Sequence, residues 1–256
     1  MTPHDWARTL AAGGPIGAPA VLVAAHPDDE TLFAGATLAR LSDLRVIMVT
    51  DGAPQDVGHA RSAGFATRQA YAAARAEELT RALAILAPQA RLIGYDVPDQ
   101  QAVDRLDEIA ARLCQDLRGA ALVLTHPYEG GHPDHDAVAC AVHRAAACLG
   151  PRAPAIVEFA CYACFDGTRE FGRFPPHPDV PEQVRPLDAA DRDRIERALA
   201  AHVSQASVFG RWRPTAEHWR AAPAYDFAAP PPGEACLYDQ YGWPLTSARW
   251  RELASR

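Results

Sequence analysis

The fold of this chain is decided by the stretch VLVAAHPDDETL at residues 21–32. Its first part, residues 21–25, is a short apolar run without alternation, which predicts a strand buried on both faces. The run ends at His26, and residues 31–41 then place leucines at helical spacing. A buried strand followed at once by a helix is the unit of parallel α/β sheets, so we expect that architecture.

The same alternation continues towards the C-terminus. Further apolar runs and helical patterns alternate with short joints: strands at 45–50, 91–95, 121–125 and 155–159, and helices at 67–87, 102–117 and 134–149. Residues 52–66 are rich in Gly, Pro and polar side chains, which predicts a loop over one end of the sheet. The pattern predicts an α/β fold: a Rossmann-like parallel sheet of about five core strands, with helices on both faces.

The segments outside this alternation carry weaker patterns. Residues 1–18, rich in Gly, Pro and Ala, are expected to be a lead-in segment without regular structure. Residues 165–187 are Pro-rich and aromatic, 188–204 are helical in pattern, and 205–256 hold four of the five tryptophans. We expect this last part to be irregular, with a short terminal helix.

The domain prediction follows from this division. A single domain is expected over residues 1–256, with an α/β core at 19–160. Residues 161–256 would be a C-terminal extension that shapes the substrate pocket. Trp212, Trp219 and Trp243 are candidates for stacking on a sugar, although packing is the commoner role of such residues.

Charge and composition exclude several classes of protein. The formal net charge of −7 argues against nucleic acid and anionic membranes, because both favour a basic surface. No apolar run reaches the roughly 18 residues of a membrane span, and no secretion signal is visible. We expect a cytoplasmic protein whose six cysteines stay reduced, with a possible homo-oligomer contact through the aromatic tail.

Two strand ends carry residues suited to metal chemistry. His26-Pro27-Asp28-Asp29-Glu30 follows the first strand, and a segment from His126 to His135 follows the fourth. In a sheet of order 3-2-1-4-5 these ends are neighbours at the ligand-binding crevice. His26, Asp29 and a third imidazole, His135 or His132, would form the three-ligand set of a catalytic zinc.

The remaining groups suit hydrolysis. Asp28 would be free to take a proton from water, and a protonated His would stabilise an oxyanion. Alternatively, Asp28 or Asp29 caps the helix that follows, and Asp134 caps the helix after the fourth strand. Neither a glycine-rich phosphate loop nor a G-x-S-x-G elbow is present, which argues against a nucleotide cofactor and a serine hydrolase.

The pair of motifs AHPDDE at 25–30 and HPDH at 132–135 resembles the PIG-L/LmbE family of zinc-dependent N-deacetylases. The resemblance covers roughly residues 19–160. It implies one Zn²⁺ per chain, or another divalent metal, held by His26, Asp29 and His135. It also implies Asp28 as the general base, His132 as the assisting histidine, and Arg75 facing a sugar pocket. The implied substrate is a small N-acetylated amino sugar or glycoconjugate.

One position departs from the family pattern. Some family members have a substrate-contacting Tyr where this chain has Gly130. Tyr128, His126 and Tyr162 are candidate replacements, and the sequence does not choose among them. Two other functions stay open, a zinc amidase or esterase acting on a non-sugar acyl compound, and a non-catalytic metabolite-binding module.

Overall fold

A seven-stranded sheet runs through the protein in a computed structural model that describes residues 1–233 and 235–256. Over those residues the strands are β1 (Ala20–Ala24), β2 (Leu44–Pro54), β3 (Arg91–Asp99), β4 (Leu122–Thr125), β5 (Ala155–Phe159), β6 (Tyr162–Phe165), β7 (Thr168–Phe171), β8 (Gln183–Pro186) and β9 (Ala216–Ala221). The helices are α1 (Pro3–Ala12), α2 (Asp29–Leu38), α3 (Val57–Ser62), α4 (Arg68–Leu86), α5 (Leu106–Asp116), α6 (Pro133–Leu149), α7 (Ala189–Leu199), α8 (Ala206–Phe209), α9 (Leu237–Gln240) and α10 (Ser247–Ala254). Three short 3₁₀ turns occupy Val103–Arg105, Gly150–Arg152 and Val203–Gln205.

The order of the sheet is β3-β2-β1-β4-β5-β9-β8. The first five strands run parallel, and β9 and β8 add antiparallel pairs at one edge. The α/β class and the order 3-2-1-4-5 are therefore confirmed. The reversal of strand order falls between β1 and β4, so both loops that carry the predicted site leave the sheet at one point.

Helices cover both faces of the sheet, and this explains why the sequence of β1 is apolar throughout. Leu22 and Ala24 pack with α1, α2, α4 and α7 on one face. Val21 and Val23 pack with α5, α6 and α10 on the other. Because successive side chains of a strand point to opposite faces, a strand covered on both sides must be apolar at every position.

The last third of the chain contributes more to the sheet than its sequence suggested. Residues 205–256 were expected to be irregular, yet β9 lies within them and pairs with β5. The sequence of β9 does not resemble a buried strand because it includes Glu217 and Arg220, charged residues that are buried here. Glu217 pairs with Arg185 of β8, and Arg220 pairs with Glu158 of β5, so both charges are compensated. The terminal helix was expected and is present as α10.

Three other expectations need correction. The lead-in segment contains α1, which is capped by Thr2 and buries Trp6 and Leu10. The 52–66 loop contains α3. A disulfide joins Cys114 of α5 to Cys148 of α6, so the prediction that all six cysteines are reduced is wrong for this pair.

Across the described residues, no helix combines the length and apolar character needed to cross a bilayer.

Candidate metal centre

The ends of β1 and β4 bring the two predicted motifs together. Three donor atoms face one another, His26 Nδ1, His135 Nε2 and the Asp29 carboxylate. The two imidazole nitrogens are 3.3 Å apart. Asp29 Oδ1 is 3.3 Å from His135 Nε2, and Asp29 Oδ2 is 3.4 Å from His26 Nδ1.

The triangle of these three residues is close in size to a zinc site, with the two imidazole nitrogens facing different oxygens of the Asp29 carboxylate. Bonds of about 2.0–2.1 Å at tetrahedral angles separate neighbouring ligand atoms by roughly 3.3 Å. All three side chains are buried, and burial together with repulsion from His126 lowers the pKa of His135 to about 3. The His135 ring is therefore neutral and offers a lone pair, as a metal ligand must. Although burial lowers it, the carboxylates of Asp99, Asp134 and Asp29 raise the pKa of His26 well above its ordinary value, so a zinc ion would have to displace a proton from that ring. With that proton displaced, the residues present fit a single zinc ion.

The outer nitrogen of His26 is also engaged. His26 Nε2 lies 3.2 Å from Asp99 Oδ1 and 3.3 Å from Asp134 Oδ2. A carboxylate behind a metal-binding imidazole fixes its ring and its tautomer. Asp134 is held in turn by the backbone N–H groups of Gln100 and Ala102. Its expected role as a helix cap is wrong, because His132 is the N-cap of α6.

Asp28 is buried beside the triangle in an unusual conformation, with φ at 131°. Its carboxylate forms an ion pair of 2.8 Å with Arg75, and its N–H donates to Glu30. Although Asp28 occupies the N-cap position of α2, its side chain makes no capping hydrogen bond. The helix-cap alternative therefore does not account for this side chain. Burial raises the pKa of Asp28 to about 7, against the opposing attraction of Arg75.

Arg75, which the family resemblance places at a sugar pocket, is buried. It donates to the carbonyl oxygens of Gly52 and Pro27 as well as to Asp28, and it lines the cavity. Gly52 has φ at 65°, and a Cβ there would lie 2.6 Å from the guanidinium carbon. Glycine at this position leaves room for the arginine to reach Asp28.

His132 presents a hydrogen-bond donor to the cavity. Its Nδ1 accepts the backbone N–H of Asp134 at 3.1 Å, which leaves the hydrogen on Nε2. Nε2 lies 3.9 Å from Asp99 Oδ1. Burial and the neighbouring His26 lower the pKa of His132 well below its ordinary value. The His132 ring is thus neutral, which differs from the protonated histidine expected from the sequence.

A cavity of about 260 Å³ opens over these residues. One wall is aromatic and includes Phe33, Tyr162, Phe171 and Trp212, with rings of adjacent members 5.0–6.4 Å apart. Trp243 lies on another side, 5.0 Å from the His132 ring. The C-terminal extension, residues 161–256, contributes to the cavity lining as expected. Of its three candidate stacking residues, Trp219 is fully buried and does not line the cavity.

The three candidate replacements for the family's substrate-contacting tyrosine differ in whether they reach the cavity. His126 is fully buried, stacks on His135 at 4.0 Å, and accepts the N–H of Ala25. Tyr128 is also buried, and its hydroxyl donates to Ala229. Neither side chain lines the cavity, so their expected contact with substrate is not supported. Tyr162 does line it, with its ring 5.2 Å from that of His135.

Gly130 itself leaves no room for a side chain. Its φ is 72°, and a Cβ there would lie 2.9 Å from Cys236 Sγ. At Gly131 a Cβ would lie only 2.0 Å from the carbonyl oxygen of Tyr162. The two glycines let the C-terminal segment and β6 pack directly against the loop, which brings Tyr162 to the cavity.

Asp99 is a site residue that sequence reasoning missed. The third strand was expected to end at residue 95, but β3 continues to Asp99. Burial opposes ionisation, yet the neighbouring His26 leaves the pKa of Asp99 lowered, so the carboxylate is charged. Because the carboxyl ends of parallel strands meet at one edge of the sheet, a predicted third strand that extended to residue 99 would have placed Asp99 at the site.

Comparisons with known proteins concern the family and the fold of the chain. The GlcNAc-PI de-N-acetylase (PIG-L) family matches residues 21–146. A protein of Bacillus anthracis named "Probable N-acetyl-alpha-D-glucosaminyl L-malate deacetylase 2" is 31% identical over 193 residues, which cover 72% of this chain and 80% of the relative.

Solved structures share the fold at low sequence identity. An A40926 pseudoaglycone deacetylase superimposes with a TM-score of 0.62 at 19% identity, covering 82% of this chain and 99% of that one. The zinc-inhibited form of a teicoplanin deacetylase gives 0.55 at 18% identity, covering 75% and 86%. An N,N'-diacetylchitobiose deacetylase from Pyrococcus horikoshii gives 0.52 at 18% identity, covering 76% and 74%.

Proposed function

The chain belongs to the PIG-L family of de-N-acetylases, and from that premise we propose that it is a zinc-dependent hydrolase of an N-acetylated amino sugar or glycoconjugate. The observation that carries the proposal is the triangle of His26, Asp29 and His135, whose nitrogens and two carboxylate oxygens lie 3.3–3.4 Å from one another, close to the spacing of tetrahedral zinc ligands. The acetamide C–N bond would be the bond that breaks. Acetate and a free amine would be the products.

A zinc ion bound here would act as a Lewis acid and would make water a stronger acid. Asp28 lines the cavity beside Asp29, so its carboxylate is placed to accept the proton that the attacking water loses. Arg75 holds that carboxylate through one of its three hydrogen bonds. The same proton can later pass from Asp28 to the departing nitrogen, so that the amine leaves neutral.

His132 and Tyr162 would serve the acyl group. His132 lines the cavity with its hydrogen on Nε2, and this N–H would donate to the oxygen on which negative charge develops. Tyr162 would contact the acetamide in place of the tyrosine that Gly130 excludes. The aromatic wall would stack on the apolar face of the sugar ring.

The proposal is tested by mass spectrometry of the zinc-loaded protein incubated with N-acetylglucosaminides and with simple acyl amides and esters. We expect loss of one acetyl group from at least one amino sugar and from none of the simple amides. Turnover of acyl compounds without any turnover of amino sugars would instead assign the chain as an amidase or esterase. No turnover of any compound, with zinc bound, would support a binding module.

A further inference from the structure

Three consecutive acidic residues, Asp28, Asp29 and Glu30, are buried at the start of α2. A buried carboxylate is stable only where charges or hydrogen-bond donors compensate it. Arg75 compensates Asp28, and the two imidazoles of the triangle face Asp29. Glu30 faces His202, a residue of the C-terminal extension that the proposed chemistry does not use.

His202 is fully buried and lies outside the cavity lining. Its Nε2 is 3.4 Å from Glu30 Oε1 and 3.4 Å from the hydroxyl oxygen of Thr31. Thr31 donates its own hydrogen to Glu30, so the Nε2–H of His202 is the donor in this group. Among the residues that the structure describes, Nδ1 has no hydrogen-bond partner, so Nε2 makes the polar contacts of this ring.

The other oxygen of Glu30 reaches the proposed base. Glu30 Oε2 accepts the backbone N–H of Asp28 at 2.9 Å. One carboxylate thus joins His202 to a residue whose φ of 131° persists only where neighbouring groups enforce it. Without the imidazole, this carboxylate would lose a donor and would no longer be held in the orientation that receives the N–H.

The turn that follows His202 is anchored to the helix that carries Arg75. The N–H and the hydroxyl of Ser204 donate to Glu78 of α4 at 2.8 and 2.7 Å. Glu78 lies about one turn after Arg75, whose guanidinium holds the Asp28 carboxylate. Asp28 is therefore held through its carboxylate by α4 and through its N–H by a group that is itself fixed to α4.

We propose that His202 is a positioning residue, which holds Asp28 in its positive-φ conformation through the carboxylate of Glu30. The inference rests on the proposed function and deepens it, because it names a residue that places the base without touching water or substrate. Its loss should lower kcat and leave KM unchanged, since the surface that meets the substrate stays intact.

The experiment compares the zinc-loaded wild type, His202→Leu and His202→Gln on methyl N-acetylglucosaminide and on the N-acetylglucosaminyl conjugate of malate. Leucine supplies no donor, whereas glutamine carries an N–H group close to the position of Nε2. We expect kcat of His202→Leu to fall by about 10- to 100-fold, because moving a catalytic group by about 1 Å has an effect of this size. His202→Gln should recover most of the loss.

His218→Leu is the matched control, since His218 pairs with Glu182 in a contact of the same kind and lies outside the cavity lining. It should leave kcat and KM unchanged. Should the leucine variant at position 202 fail to fold, His202→Asn replaces it, because its side chain is too short to reach Glu30. Equal kcat in the wild type and the donor-free variant would overturn the inference, as would equal losses with glutamine.

A double variant separates positioning from a general loss of structure. In the Asp28→Asn background, His202→Leu should cause no further fall in kcat, because the group that it positions no longer accepts a proton. A further fall as large as that in the wild type would overturn the inference.

Crystal structures of the wild type and His202→Leu report the placement of Asp28 without any turnover. We expect the φ of Asp28 to leave the positive region in the variant and its carboxylate to withdraw from the cavity. An unchanged Asp28 would overturn the inference. A wild type inactive on every amino sugar would contradict the proposed function, while this comparison would still decide whether His202 positions Asp28.

Discussion

Asp28 adopts a backbone conformation that residues other than glycine rarely accept, with φ at 131°. Such a conformation costs on the order of 1–3 kcal/mol and persists only where neighbouring groups enforce it. Here Glu30 receives the N–H of Asp28, and Arg75 holds both its carboxylate and the preceding carbonyl. The strain turns the carboxylate away from the helix terminus and towards the cavity, which fits a general base better than a cap.

The first prediction concerns that carboxylate. Asp28→Asn should keep a polar contact with Arg75 and leave the backbone as it is, because asparagine has the same size and shape as aspartate. An amide cannot take the proton from water, so kcat should fall by about 10²–10⁴ while bound zinc stays at one ion per chain. Steady-state kinetics and metal analysis of the same preparation test this.

Asp104→Asn provides the control, since it makes the same chemical change at an exposed position. It should leave both kcat and the zinc content unchanged. Turnover by Asp28→Asn within a few-fold of the wild type would remove Asp28 from the role of base. Loss of zinc by this variant would assign Asp28 to metal binding instead.

At the scale of the elements, the strand order and the meeting of two loops were predictable because β1 and β4 are apolar runs that end in histidine and acid. The antiparallel strands β8 and β9 were not, because their stability depends on buried charges whose partners are distant in sequence. Glu217 accepts hydrogen bonds from the N–H groups of Ala36 and Thr37. A contact between residues so far apart in the chain cannot be predicted from a local sequence pattern. The position of Tyr162 likewise depends on packing against Gly131.

The second prediction concerns the link between α5 and α6. With the Cys114–Cys148 disulfide formed and four cysteines free, thiol titration in denaturant without reductant should count four reactive groups. Prior reduction should raise the count to all six cysteines of the sequence. Cys114→Ser, which breaks the bridge and frees Cys148, should give five in denaturant alone. Six reactive groups in the unreduced wild type would show that the bridge does not form.

At the scale of the whole molecule, the C-terminal extension completes the sheet and closes the cavity. β9 adds to β5, while Trp250 of α10 is fully buried and donates to the carbonyl of Pro133 beside the site. We propose on this basis that residues 1–256 unfold as one domain. The metal site would then be coupled to global stability, because its ligands lie in the two segments that follow β1 and β4.

The third prediction follows from that coupling. The zinc-loaded protein should unfold in one thermal transition, and EDTA should lower Tm by about 5–10 °C, because a ligand that binds only the folded state stabilises it. His135→Ala should abolish the EDTA effect. His143→Ala, on the same helix but outside the triangle, should retain it. Two separate transitions would contradict the single domain, and an unchanged Tm with EDTA would contradict metal-linked stability.

The most direct test of the central claim is anomalous diffraction at the zinc absorption edge from crystals of the zinc-loaded protein. The account predicts one anomalous peak within the triangle, at about 2.0–2.2 Å from His26 Nδ1, His135 Nε2 and an Asp29 oxygen. A fully loaded crystal with no peak there, or with zinc held by other residues, would contradict it.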